Sequence, residues 1–118
     1  MRAVIQRVLG AEVKIKSLCK SKIKKGLLIF LGIGNNDNLE DIKWLTKKIV
    51  NLRIFSNKNG ILNNSVLDVD GDILIVSQFT LHANIKKGNR PSFFKAARPN
   101  TAIEMYEKFK KELSILLN

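Results

Sequence analysis

Ser77, Gln78, Phe79, Thr80 and His82 crowd two hydroxyls, an amide, an aromatic ring and the chain's one histidine into six positions, with Leu81 between. A hydroxyl becomes an effective nucleophile when a nearby base takes its proton. Thr80 and His82 have the two-residue spacing that shares one side of an extended strand, so one reading is a nucleophile-base pair for ester cleavage. No third residue is evident to orient the imidazole, and a histidine at a strand end is commonly a surface residue. The same string therefore also reads as the polar finish of a strand. Strict alternation sets Ser77 and Phe79 against Gln78, Thr80 and His82, so gathering all of them in one pocket requires a bulge or a turn.

A few residues downstream, Lys86-Lys87-Gly88-Asn89-Arg90 concentrates cations around a glycine. Gly88 lets backbone approach a phosphate closely, which suits the end of an RNA chain, while a solvated charged loop is the competing reading. The whole chain leans the same way: 21 Lys and Arg against 10 Asp and Glu give a formal charge of +11. Such a field steers polyanions, and nucleic acid is the first partner to consider, although abundant Lys, Asn and Ile also fit a general compositional drift. Arg7, in a largely apolar stretch, needs either an ion-pair partner or a water-filled pocket.

These groups must be positioned by a chain of 118 residues, the size of one domain that buries roughly two-thirds of its unfolded surface. Cys19 is the only cysteine, which excludes an intrachain disulfide, obliges any metal site to use other ligands and favours a reducing cytosol. The longest apolar run, Leu27 to Ile33, is too short to span a bilayer, and the first residues lack a signal-peptide pattern. The expectation is a cytoplasmic protein without a membrane.

Two strand-like pieces flank Gly10, the second alternating Ala11, Val13 and Ile15 against Glu12, Lys14 and Lys16. Lys20 to Lys25 reads as a short basic strand or turn, and Gly26 to Leu31 as a central strand covered on both faces. Leu39, Ile42, Leu45, Ile49 and Leu52 recur at helical spacing after a start at Asn38 and Asp41. Arg53-Ile54-Phe55 opens another strand, Asn59-Gly60 is a hairpin signal, and Asp70-Gly71 introduces the run Ile73 to Val76 that ends at Ser77. Residues 83–100 read as an ordered surface loop. Thr101 and Glu104 match a capping box for a last helix with the stripe Ala102, Tyr106, Phe109, Leu113 and Leu116. The fold class is therefore α/β of the α+β type: roughly six strands in a mainly antiparallel or mixed sheet, with two amphipathic helices.

Ser77-Gln78-Phe79-Thr80-Leu81, followed by Lys87-Gly88-Asn89-Arg90-Pro91-Ser92-Phe93, resembles the D-aminoacyl-tRNA deacylase family. Gln6-Arg7-Val8 and the stretch from Lys48 to Phe55 resemble it too, and the likeness runs from Met1 to about Phe109. The resemblance implies an esterase that removes D-amino acids, and often glycine, from the 3′ end of aminoacylated tRNA, working as a homodimer with no metal and no organic cofactor. It implies that Ser77, Gln78, Phe79 and Thr80 form the catalytic strand, lining a pocket for the aminoacyl group and terminal adenosine. It implies substrate-binding roles for Arg7, Lys87, Gly88, Arg90, Pro91, Ser92 and Phe93. Catalysis in that family leans on backbone groups and the adenosine's 2′-hydroxyl more than on a side-chain nucleophile.

Family members usually continue past the second helix into a further strand segment with a Gly-Pro dipeptide that reaches the partner subunit's pocket. Here the sequence stops at Asn118, and its two prolines, Pro91 and Pro99, each follow an arginine. The expectation is a single deacylase-like domain over residues 1–118 without that segment, with weak discrimination between D- and L-aminoacyl groups and the dimer left open. The alternative is a truncated, non-catalytic tRNA-binding remnant.

Overall fold

The computed structural model describes residues 1–117, and within them the longest apolar run, residues 27–33, supplies the centre of the molecule. Strand β4 (Gly26–Gly32) pairs antiparallel with β1 (Arg2–Val8) and parallel with β7 (Asp72–Ser77), in the order β1-β4-β7. Leu27, Ile29 and Leu31 alternate toward one face and are fully buried. Leu28 and Phe30, on the other face, are less completely covered, Phe30 being half-buried. The expected cover on both faces is thus complete on one side only, because both long helices pack on the same side.

Helix α1 (Leu39–Asn51) starts as its sequence predicts. The Asn38 side chain accepts from the Asp41 N–H at 3.1 Å, and the Asp41 carboxylate accepts from the Asn38 N–H at 2.9 Å, a reciprocal capping box. Ile42, Ile49 and Val50 enter the core with Thr46, whose hydroxyl donates to the Ile42 carbonyl at 2.7 Å and so is buried without cost in unpaired polarity. Helix α2 (Pro99–Leu117) buries Met105, Phe109 and Leu113 against the same cluster.

The start of α2 differs from the sequence expectation. Pro99 takes the first helical position and Ala102 N–H donates to Arg98 O at 2.8 Å. Proline suits that position because its fixed φ is helical and its missing N–H would have no partner there. Thr101 therefore lies inside the first turn rather than capping it, and Glu104 pairs with Lys108 at 3.0 Å.

Four further strands complete the fold. The basic stretch proves to be a strand, β3 (Leu18–Ile23), paired with β2 (Ala11–Ile15), so the described residues form seven strands in place of the roughly six expected. The turn between them uses Lys16 and Ser17 at φ 51° and 66°, two left-handed residues that suit a two-residue hairpin without the glycine or asparagine that would have announced it. The Asn59-Gly60 signal does mark a turn, between β5 (Phe55–Ser56) and β6 (Leu62–Asn64), with Gly60 at φ +75°. Arg53 and Ile54 fall outside β5. Tyr106 ties α2 to β7 by donating to the Ile75 carbonyl at 2.9 Å, and its partial burial raises its pKa above the ordinary phenol value.

Candidate functional site

Strand β7 ends at Ser77, and the backbone then tightens into a 3-10 turn over Phe79–His82. Gln78 N–H still donates to Leu31 O at 2.8 Å, the last backbone-to-backbone bond to β4, after which Leu81 N–H returns to Gln78 O and Ala83 N–H to Thr80 O. The alternation of an extended strand therefore stops where the polar string begins, and Thr80 and His82 do not share a strand face.

His82 is buried, 9% exposed, with its Nε2 3.0 Å from the Gly32 carbonyl oxygen, so that nitrogen carries the proton and donates. This corrects the expectation of a surface histidine. The imidazole occupies space that glycines at the end of β4 leave open. A Cβ on Gly32 would lie 3.1 Å from its Cδ2 and 2.9 Å from the Gln78 carbonyl oxygen, and one on Gly34 would lie 3.2 Å from its Cε1. Thr80 is exposed, and its hydroxyl accepts from the Gln78 side-chain amide rather than meeting the imidazole. The Thr80-His82 pair is not assembled.

The segment after this turn folds back on the end of β4. Asn84 and Ser92 exchange backbone hydrogen bonds of 2.7 and 2.9 Å, which closes the intervening loop. Asn35 N–H donates to Lys95 O at 3.0 Å, its side chain donates to Phe94 O at 2.6 Å, and Ala97 N–H donates to Ile33 O at 2.9 Å. Asp37 anchors the corner that carries Asn35, accepting from Gly34 N–H and from the N-terminal ammonium, each at 2.6 Å. Arg2 adds a bond to Leu81 O at 2.7 Å.

This folding back brings Phe93 against Phe79, edge to face, with ring centroids 5.2 Å apart. Ser77, Phe79 and Phe93 then line an open cavity of about 500 Å³, together with Ala96, Ala97 and the first turn of α2. Phe79 remains 55% exposed despite its partner ring, so a ligand would bury aromatic surface there. Such a hollow suits an apolar or aromatic group bordered by the Ser77 hydroxyl and the Arg98 side chain. The N–H groups of Phe79 and Thr80 head the 3-10 turn, where donors lack a partner within the turn itself.

Of the residues singled out in the sequence, Ser77, Phe79 and Phe93 line this cavity, and Gln78 and Thr80 stand beside it, bonded to each other. Lys87, Gly88, Arg90 and Pro91 lie in the exposed loop, with Gly88 at φ +71°, and Ser92 closes its base. Arg7 is not brought to the cavity within this chain. It pairs with Leu27 near the start of β4, while Ser77 pairs with Leu31 near its end, and Arg7 is exposed beside Lys25 and Phe55. Ala96, Ala97, Arg98, Pro99, Ala102 and Ile103 also line the cavity and were not singled out as pocket residues from the sequence; for Ala96 and Ala97 the available signal was a pair of small residues just ahead of a helix start.

Among the described residues no three His, Cys, Asp or Glu side chains are grouped to hold a metal ion. No helix among them is long and apolar enough to cross a membrane.

Residues 4–118 match the family described as D-Tyr-tRNA(Tyr) deacylase. A D-aminoacyl-tRNA deacylase of Bacteroides fragilis strain YCH46 is 58% identical over 117 residues, covering 99% of this chain and 78% of the relative. Its counterpart in Flavobacterium johnsoniae is 57% identical over 113 residues, covering 96% and 75%. Among solved structures, the c-Myc DNA unwinding element binding protein superposes with a TM-score of 0.91 at 38% identity, covering 96% of this chain and 76% of that one. A probable eukaryotic D-amino acid tRNA deacylase shares the fold, with a TM-score of 0.81 at 17% identity, covering 98% and 67%.

Proposed function

Because the chain belongs to the D-Tyr-tRNA(Tyr) deacylase family, we propose that it hydrolyses the ester between a D-amino acid and tRNA in the cavity lined by Ser77, Phe79 and Phe93. The observation that carries this reading is the identity of above one half to D-aminoacyl-tRNA deacylases over nearly the whole chain. The activity is that of a hydrolase acting on aminoacyl-tRNA.

In that reading the edge-to-face rings hold the flat terminal adenine or the amino-acid side chain, and Ser77 borders the ester. The N–H groups of Phe79 and Thr80 donate to the carbonyl oxygen as it gains charge, the step that preorganised backbone dipoles accelerate most. Water adds to the carbonyl carbon, the bond to the ribose oxygen breaks, and the products are a free amino acid and tRNA with its 3′-terminal hydroxyl. Gln78 fixes the turn through its bond to Thr80 and so sets the direction of those N–H groups. Lys87, Arg90 and the open backbone at Gly88 face the phosphates of the acceptor end, where an exposed cationic loop adds affinity without choosing a sequence. The homodimer and the cytoplasmic location that the resemblance implies belong to the same proposal, as does the single domain spanning residues 1–118. Arg7 has a substrate role in this scheme only through a second copy of the chain, since it stands away from its own cavity.

The test is release of amino acid from D-tyrosyl-tRNA and glycyl-tRNA by purified protein. Hydrolysis well above the buffer rate is expected with D-tyrosyl-tRNA. No release above that rate, from a sample with a cooperative melt, would overturn the proposal.

A further inference from the structure

The outer face of α1 carries side chains that neither the core nor the cavity uses. Lys47 and Lys48 stand three and four residues after Trp44, and Asn51 stands four and three after them, which places the group on one face of the helix. With Leu52 and Arg53 they line an open cleft of about 580 Å³. Trp44 is the chain's only tryptophan and is 65% exposed, an unusual place for so large an apolar ring. The Lys48 ammonium lies 5.5 Å from the ring centroid, holding a cation over the indole.

The charge around this ring is one-sided. Three cations and no carboxylate line the cleft. Among the described residues the side-chain ion pairs use Lys14, Lys108 and Lys110, not Lys47, Lys48 or Arg53. Arg53 acts weakly on Asp68, whose carboxyl is held below the ordinary range chiefly by its hydrogen bonds with Ser65. The acids of this helix, Glu40 and Asp41, stand four and three residues before Trp44, and Asp41 is engaged in the capping box with Asn38.

We propose that this cleft is a second RNA-docking surface, which takes an unpaired base against Trp44 and the flanking phosphates on Lys47, Lys48 and Arg53. The proposal rests on the reading of the chain as an enzyme of tRNA. An aromatic face set among cations is the combination that single-stranded nucleic acid requires, since the base stacks while the backbone is neutralised. An acidic peptide would use the cations and leave the indole exposed. The cleft ends at Arg53, two residues before Phe55, whose ring lies under Lys25 at the start of β4, whereas Ser77 of the cavity pairs with Leu31 near the end of that strand. It would therefore meet a part of the tRNA other than the 3′-terminal nucleotide.

Because Trp44 is the sole indole, its emission reports on the cleft alone. Titration with a short single-stranded oligouridylate RNA at low salt is expected to change that emission saturably, and polyglutamate of matched charge is expected to change it little. The variant carrying Lys47→Ala and Lys48→Ala should lower the slope of log affinity against log salt by about 0.7 for each phosphate no longer neutralised. The variant carrying Lys47→Arg and Lys48→Arg should preserve it. Trp44→Ala should weaken tRNA binding about tenfold, the scale of one base stack removed. With D-tyrosyl-tRNA it should raise KM and leave kcat unchanged. No saturable emission change with RNA, an equal response to polyglutamate, or an unaltered tRNA affinity in Trp44→Ala would each overturn the proposal. Absent turnover by the wild-type protein would instead sink the assignment of the cavity, and the emission titration would still decide the cleft.

Discussion

Strand β7 and the segment that follows it are held by different forces. Through Ile73 to Val76 the chain is a regular strand locked to β4, beneath a core in which Leu27, Ile29, Leu31 and Phe109 are fully buried. From Gln78 to Ala97 it is irregular and largely exposed, fixed instead by individual hydrogen bonds to Leu31, Gly32, Ile33 and Asn35. Apolar burial is non-directional and stabilises in proportion to area. A hydrogen bond contributes little net stability but fixes direction. The scaffold therefore carries the stability and the segment carries the geometry, which leaves Phe79 exposed for a ligand.

That contrast predicts separable mutational effects. Phe109→Ala, in the scaffold, should cost about 3–5 kcal/mol through reduced burial and a residual cavity, read as a fall in the denaturant midpoint, while the folded fraction keeps its kcat. His82→Ala sits at the junction. It removes the bond to Gly32 and empties the space between the two glycines, so about 1–3 kcal/mol of stability should go, together with part of the activity as the 3-10 turn loosens. Unchanged stability with a loss of about a thousandfold in kcat would instead show the imidazole acting in the chemistry. Thr80→Ala, in the segment, should move stability by no more than about 0.5 kcal/mol. It should reduce hydrolysis by less than about tenfold, and a loss of about a thousandfold would identify its hydroxyl as the nucleophile.

The same division explains what could be read from the sequence. Helix α1 was legible because Asn38 and Asp41 are a local signal and Ile42, Leu45 and Ile49 repeat at its period. The central place of β4 followed from an apolar run bounded by turn residues. Helix α2 was legible in its stripe but not in its start, since Thr101 and Glu104 imitate a capping box inside a helix that Pro99 already begins. The 3-10 turn at Phe79–His82 was hidden because nothing in Ser77 to His82 breaks an extended pattern, and the bonds that bend it come from β4. The burial of His82 depends on Gly32 and Gly34, far earlier in the chain. Their wide separation leaves no local trace. The motif pointed to the candidate site, and the pairing of Phe79 with Phe93 came only from the tertiary fold.

The parallel pairing of β4 with β7 also governs the order of assembly. β1 and β4, with the β2-β3 hairpin between them, and helix α1 just after, close over short stretches of chain. The pairing of Leu28 with Leu74 must wait until α1 and the β5-β6 hairpin have crossed over. Long-range closure of this kind is the slow part of folding. The backbone beyond Ser77 can take its bonds from Leu31, Gly32 and Ile33 only once β7 is in register. In a refolding experiment the helices would therefore form early, and the pocket would be the last part of the molecule to mature.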